Sequence, residues 1–256
     1  MNTITSTLFI GKINFNFDSL PSTNLYALEL LSQKKPLEGT TVTAKNQSDG
    51  KGQLNNKWES EPYKNITMSV IFYPSFLSVS NFFLLNQAIA LGVHDFIQNH
   101  VKKQVKIKWS NDIYVDSKKI AGILIQNNLQ GTLINSCVVG IGLNVNQELF
   151  LSDAPNPTSL ILQTGKQFDL EILMEDLCKC LENRYLQLRQ QHFSTLRNDY
   201  ANVLYQRDEW CNYIRTVSGE RFLGRIEGVK DSGQLIMQTN RGLELFDFKE
   251  IKFYLA

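Results

Sequence analysis

Polar and apolar positions follow two periods along this chain, and the switches between them outline its elements. Over residues 104–125 the period is two. Val105, Ile107 and Trp109 share one face and Gln104, Lys106 and Lys108 the other, which is the signature of a strand. Ser110-Asn111-Asp112 interrupts it with turn residues, 113–115 restart a strand, Asp116-Ser117 turns again, and 119–125 run on as a nearly continuous apolar strand. Residues 40–44, 66–72 and 133–143 predict three more strands. Elsewhere the spacing is three and four. Ser22-Thr23-Asn24 precedes Leu25, Ala27, Leu28, Leu30 and Leu31, a capped helix start that Pro36 and Gly39 close. Ser78 predicts the cap of a long helix to about residue 99, with Val79, Phe82, Phe83, Ala88, Ile89, Val93 and Phe96 on its core side. Residues 170–190 and 193–203 predict two further helices.

Two stretches, 45–63 and 151–168, are polar and lack either period, so they predict loops. After Tyr205 the texture changes. Short alternating runs are punctuated by Ser218-Gly219, Lys230-Asp231-Ser232-Gly233 and Asn240-Arg241-Gly242, spacing that suggests a small β-barrel. The chain therefore divides into 1–207 and 208–256 as candidate domains.

Composition narrows the class. At 256 residues the chain can bury a sizeable core, and 43% hydrophobic with 20% charged residues is ordinary for a globular protein. Lys+Arg 26 against Asp+Glu 25 argues against a broad electrostatic footprint for nucleic acid. The start, MNTITSTLFIGKINFNF, has no basic head, long apolar run or small-residue cleavage site, so it does not read as a signal peptide. No apolar run approaches the length of a membrane span. Cys137, Cys178, Cys180 and Cys211 show no metal spacing and read as reduced thiols in a cytoplasmic protein. His94, His100 and His192 are scattered on expected helices, as surface or packing residues.

Candidate chemistry lies in the irregular stretches. The loop from Gln47 to Ser60 places Lys51 between Gly50 and Gly52, which free backbone N–H groups to approach an anion, and Trp58 offers a flat face for a planar ring. The plainer alternative is a surface loop with a tryptophan docked in the core. Ser22-Thr23-Asn24 is on its own a helix cap. Gly140-Ile141-Gly142 lacks the third glycine and the following helix of a dinucleotide loop. No Walker sequence, HExxH or nucleophile elbow occurs.

Five segments, in their order along the chain, resemble biotin–protein ligases over nearly the whole chain. Lys108-Trp109-Ser110-Asn111-Asp112, followed by Lys119 and Gly122, matches the family's KWPNDhhhxxxKhxGhhh, with Ser110 where Pro is usual. Gln47, Gly50, Lys51, Gly52 and Trp58 match Q-x-x-G-R-G-x-x-G-x-x-W. Lys51 replaces the first Arg, Gln53 stands where a second Arg is frequent, and Asn55 replaces the third Gly. Lys keeps the charge of Arg but loses its planar fork. Ser22-Thr23-Asn24, the strand end Gly140-x-Gly142-x-Asn144, and 221–251 as the family's small C-terminal barrel complete the set.

The resemblance implies an α+β fold, a mixed sheet packed with helices as in class II aminoacyl-tRNA synthetases, plus an SH3-like barrel. It implies an enzyme that joins biotin and ATP into biotinyl-5′-AMP, with Mg²⁺ assisting, and passes biotin to a lysine of a biotin carboxyl carrier domain. On this resemblance Lys119, Lys51 and Asp112 are the catalytic residues. Lys119 meets the biotin carboxylate and α-phosphate. Asp112 orients or deprotonates the incoming lysine, or assists the metal. Biotin contacts Ser22, Thr23, Asn24, Gln47, Gly50, Lys51, Gly52, Gln53, Lys119 and Gly122. The adenylate contacts Lys51, Gln53, Trp58, Asn111, Lys119 and Asn144. Many family members carry an N-terminal helix-turn-helix. About twenty residues precede Ser22 here, so DNA binding is not expected; family members often pair through a sheet edge, which leaves a homodimer open. The rival readings are a lipoate or octanoate ligase on the same fold and a non-catalytic biotin-binding module.

Overall fold

The structure is a computed structural model that describes residues 4, 6–53, 56–152 and 156–254. Its strands are β1 (Asn14–Leu20), β2 (Thr41–Gln47), β3 (Ile66–Phe72), β4 (Val105–Lys108), β5 (Asp112–Val115), β6 (Lys118–Gln130) and β7 (Leu133–Leu143) in one sheet. Helices α1 (Thr23–Gln33), α2 (Phe83–His100), α3 (Leu160–Thr164), α4 (Leu170–Arg189) and α5 (Phe193–Asn202) pack around it. A second sheet holds β8 (Trp210–Arg215), β9 (Arg221–Val229), β10 (Leu235–Thr239), β11 (Gly242–Phe246) and β12 (Ile251–Phe253).

The first sheet is mixed, in the order β1-β2-β3-β7-β6-β5-β4, with β1 parallel to β2 and its other neighbours antiparallel. Central β3 is buried along its whole length, as its unbroken run ITMSVIF requires. One face carries α1 over Val42, Ile71 and Val138. The other carries α2, with α4 and α5 packed against it. That double cover explains why α2 is buried almost all round and not on one stripe. The two long helices approach closely at Gly92, where a Cβ would come within 2.9 Å of the Leu181 backbone. The core is aromatic here: Phe72 and Tyr185 stack with centroids 4.3 Å apart. Each such side chain removed from water contributes about 1.5–3 kcal/mol.

Several elements depart from the sequence reading. Strand β1 was not anticipated, although Asn14, Phe15, Asn16 and Phe17 alternate; it is an edge strand, held on one side only. Ser22 occupies the N-cap position of α1, but its side chain makes no capping bond; the Tyr26 N–H donates to the Ser22 carbonyl instead. Ser78 caps a short 3₁₀ turn, Val79–Asn81, ahead of α2. The polar stretch 151–168 contains α3, a helix of one turn capped by Ser159 and ended by Gly165 in the left-handed region (φ 71°). Too short for a period, it left only its cap residues as a signal.

The second sheet is antiparallel, ordered β11-β10-β9-β8-β12, and buries Tyr213, Phe222, Ile226, Leu235, Met237 and Phe246. Its attachment is specific. The segment after α5 pairs with β4 through Ile107, and the Trp109 indole donates to the Gly233 carbonyl at 3.0 Å while stacking on Phe248 at 5.1 Å. No helix among the described residues is long and apolar enough to cross a membrane.

Candidate active site

One register row crosses the first sheet. Lys108 on β4 pairs with Asp112 on β5, Asp112 with Gly122 on β6, Gly122 with Gly142 on β7, and Gly142 with Thr67 on β3. Directly opposed residues point to one face, so this row presents a cation, a carboxylate and then a floor without side chains. Above it lies a cavity of about 1580 Å³.

Trp58 explains the bare floor. A Cβ on Gly122 would lie 3.0 Å from the indole Cζ3, and one on Gly142 would lie 2.5 Å from its Nε1. The two glycines therefore admit the ring against the backbone of both strands. The loop that carries Trp58 is folded back on itself. The Trp58 N–H donates to the Gly50 carbonyl at 2.9 Å, the Gly52 N–H donates to the Asn56 carbonyl at 2.7 Å, and Lys51 bridges Lys57. Lys51 pairs with Asp49. Asn55, the substituted third glycine, lies outside the described residues. Glu59 clasps the far side, accepting from the Leu151 and Ser152 N–H groups at 2.7 and 2.9 Å. Burial alone would raise its carboxyl, but these bonds together with Gln147 hold it below the usual range.

The end of the cavity at α1 is polar and fixed. The Gln47 side-chain Oε1 accepts from the Thr23 N–H at 2.8 Å and from its hydroxyl at 3.2 Å, and Thr23 Oγ1 also contacts Ser69 Oγ at 2.9 Å. Asn24 Nδ2 is buried near Gly140 and has no hydrogen-bond partner among the described residues; the Trp58 Nε1 is in the same state. A buried donor without an acceptor costs about 1–3 kcal/mol, so two of them at one cavity suit a ligand that brings acceptors.

Charge gathers at the middle of the row. Lys119 Nζ lies 2.7 Å from Asp112 Oδ1 and 5.6 Å from the Trp58 ring centroid. Both side chains are about a quarter exposed, at 23% and 28%, so neither is lost to solvent nor sealed from it. Asn111 follows the cis Trp109–Ser110 peptide and donates to the Ile123 carbonyl, and Ser110 Oγ donates to its side-chain oxygen at 2.9 Å. The turn is thus pinned to the next strand.

The cavity wall includes Ser22, Thr23, Asn24, Gln47, Gly50 and Lys51, and equally Gly52, Gln53, Trp58, Asn111, Asp112, Lys119 and Gly122. Asn144 does not line it. Its amide donates to the Thr158 carbonyl at 2.9 Å, its backbone holds Ile120 and Leu160, and its Oδ1 is buried without a partner among the described residues. It fastens the strand end to the segment before α3, which a G-x-G-x-N pattern does not reveal. The sequence reading overlooked Lys108 as a cavity-lining residue and the far wall, where Phe248 and Lys249 come from the β11–β12 turn and Lys252, Phe253 and Tyr254 from β12 and the residue after it. Nothing local in 248–254 marks it for this position; the barrel's docking brings it there.

Among the described residues, no group of three or more His, Cys, Asp or Glu side chains could cage a metal. Magnesium is commonly held by one or two carboxylates together with substrate phosphates, and Asp112 is a carboxylate in this cavity able to serve that way.

Comparison with known proteins agrees with this geometry. Residues 16–144 match the model of the biotin/lipoate A/B protein ligase family. The bifunctional ligase/repressor BirA of Bacillus subtilis is 31% identical over 241 residues, covering 92% of this chain and 72% of that protein. The biotin–[acetyl-CoA-carboxylase] ligase of Paracoccus denitrificans is 28% identical over 247 residues, covering 91% of this chain and 97% of its own length. The biotin protein ligase of Aquifex aeolicus, solved with biotin and ATP, superposes with a TM-score of 0.78 at 22% identity, covering 96% of this chain and 100% of that one. This chain belongs to the biotin/lipoate A/B protein ligase family.

Proposed function

We propose that this protein is an ATP-dependent ligase that activates biotin as biotinyl-5′-AMP and transfers it to a lysine of a biotin carboxyl carrier domain. The observation that carries this reading is the row Asp112–Gly122–Gly142 beneath Trp58, with Lys119 paired to Asp112 at its middle and the unpartnered Asn24 amide at one end. The relative named as a biotin–[acetyl-CoA-carboxylase] ligase supports it.

The chemistry follows from the charges. A biotin carboxylate oxygen bonds the α-phosphorus of ATP while the α–β P–O bond breaks and pyrophosphate leaves with the electron pair. Two anions must meet, and Lys119, fixed on β6, neutralises the carboxylate and α-phosphate where they react. Such preorganised cations act through electrostatic stabilisation. Lys51, with the backbone of Gly50 and Gly52, holds the phosphates, assisted by Gln53. Asn111 and Trp58 hold the adenylate. Ser22, Thr23, Asn24 and Gln47 match the polar ring end of biotin, with Gly122 leaving room for its chain. Magnesium, held by Asp112 and the phosphates, would offset polyphosphate charge. In the second step the carrier amine forms the C–N bond, AMP departs, and Asp112 orients or deprotonates that amine. We place the reaction in the cytoplasm, where unpaired thiols such as Cys137 and Cys178 persist.

Pyrophosphate release measured with biotin, lipoate and octanoate tests the reading. Release is expected with biotin. Release with lipoate or octanoate alone would make this a ligase of another acid, and none with any acid would leave a binding module.

A further inference from the structure

Lys108 has no role in the scheme above, yet it ends the row that organises the cavity. Its Nζ lies 3.2 Å from the Tyr114 hydroxyl, 5.0 Å from the centre of the Tyr114 ring and 4.9 Å from that of Phe253. Tyr114 belongs to the first sheet and Phe253 to the second, so the two sheets together hold this ammonium. Lys119 and Lys51 each have a carboxylate at hydrogen-bond distance. Lys108 has none among the described residues. Burial holds its ammonium below the usual lysine range, and Lys119 pushes it the same way against the pull of Asp112. A half-buried cation set between aromatic faces, facing a cavity and lacking a counter-ion, is a place where an incoming anion gains most.

The register identifies the anion. The row runs from the glycine floor on β7 and β6, through Asp112 on β5, to Lys108 on β4. Adjacent strands are about 4.8 Å apart, so Lys108 stands two strands beyond the β6 strand that carries Lys119. With the reacting α-phosphate at Lys119, groups further along the row are those on the far side of the bond that breaks.

We propose that Lys108 is a phosphate-binding residue for the β- and γ-phosphates of ATP and for the pyrophosphate they become. This rests on the ligase reading above. It also accounts for a departure in this chain: Lys51 is paired with Asp49, and Gln53 is neutral, so the glycine loop presents less free positive charge to a polyphosphate than two arginines would. Lys108 supplies a cation from a strand.

The test is product inhibition. In Lys108→Met, the inhibition constant of pyrophosphate and the KM for ATP are expected to rise about tenfold to a hundredfold, the effect of losing one charge-assisted bond. The KM for biotin stays within about twofold, and Lys108→Arg recovers most of the loss. Should Lys108→Met not fold, reductive methylation of the unaltered protein answers the same question: pyrophosphate is expected to protect Lys108, as read by mass spectrometry. Unchanged pyrophosphate inhibition and ATP affinity in a folded Lys108→Met, or methylation of Lys108 that pyrophosphate leaves unaltered, would overturn the proposal. Loss confined to transfer onto the carrier would overturn it too and make Lys108 a carrier contact. Failure of the ligase reading is separate, since it would show as no biotin-dependent pyrophosphate release from the unaltered protein.

Discussion

Two lysines face the same cavity from different kinds of backbone. Lys119 stands on β6, two strands in from the sheet edge, paired with Asp112 and set against Trp58. Lys51 stands on a loop, 36% exposed, and pairs with Asp49 two residues away. A sheet fixes its residue before substrate arrives, whereas a loop orders its residue at the moment of binding and meets the entropy cost then. The difference separates two tasks. The strand-borne lysine suits stabilisation of the reacting charges, and the loop-borne lysine suits retention of what has been made.

The largest expected effect is on the strand. Lys119→Ala should lower the rate of adenylate formation by a factor of about 10²–10³, as for loss of one preorganised charge-stabilising group. Pyrophosphate release near the unaltered rate from a folded variant would end the distinction drawn between the two lysines.

Next comes the floor between them. Gly142→Ala places a methyl group where the Trp58 indole lies, and the overlap must be relieved by moving the ring. Overpacking of this kind costs about 1–3 kcal/mol, so the KM for ATP should rise roughly tenfold or more while the chain stays folded. A KM for ATP unchanged by this substitution would mean that Trp58 does not shape the adenylate site.

Smaller effects belong to the loop. Gln53→Arg adds a planar, charged fork and should reduce biotinylation of a bystander protein a few-fold, with little change in adenylation rate, because charged hydrogen bonds are roughly twice as strong as neutral ones. Faster escape of biotinyl-AMP from Gln53→Arg than from the natural enzyme would contradict this. The loop should also close over its ligand. Limited proteolysis near Lys51 or Lys57 is expected in the free protein and should be suppressed by biotin with ATP; equal cutting in both states would mean that the ligands do not order the loop.

The two regions were also unequally legible. The first strand of the 104–125 segment could be read from its alternation because it has one buried face and one charged one, and 119–125, 66–72 and 133–143 could be read as strands from their apolar runs. The helices from Leu170 and Phe193 followed from periodicity, and the structure adds Asp169 as the cap of the first. What escaped was set by long-range contact. No local pattern says that Trp109 reaches the Gly233 carbonyl, that Phe253 covers Lys108, or that Asn144 spends its amide on Thr158. Asn14 to Phe17 alternate over only four residues before the polar Asp18-Ser19, too short a run to mark an edge strand by itself. The site residues themselves were named from motif spacing, and the cavity gathers them, apart from Asn144.

The most direct test of the division of labour is a single-turnover measurement with biotin, ATP labelled on its α-phosphate, and no acceptor, run in parallel on Lys119→Ala and Lys51→Ala. The account predicts that Lys119→Ala fails to form bound labelled biotinyl-AMP at a normal rate, whereas Lys51→Ala forms it and releases it faster than the unaltered protein. Normal formation by Lys119→Ala, together with lost formation by Lys51→Ala, would contradict it.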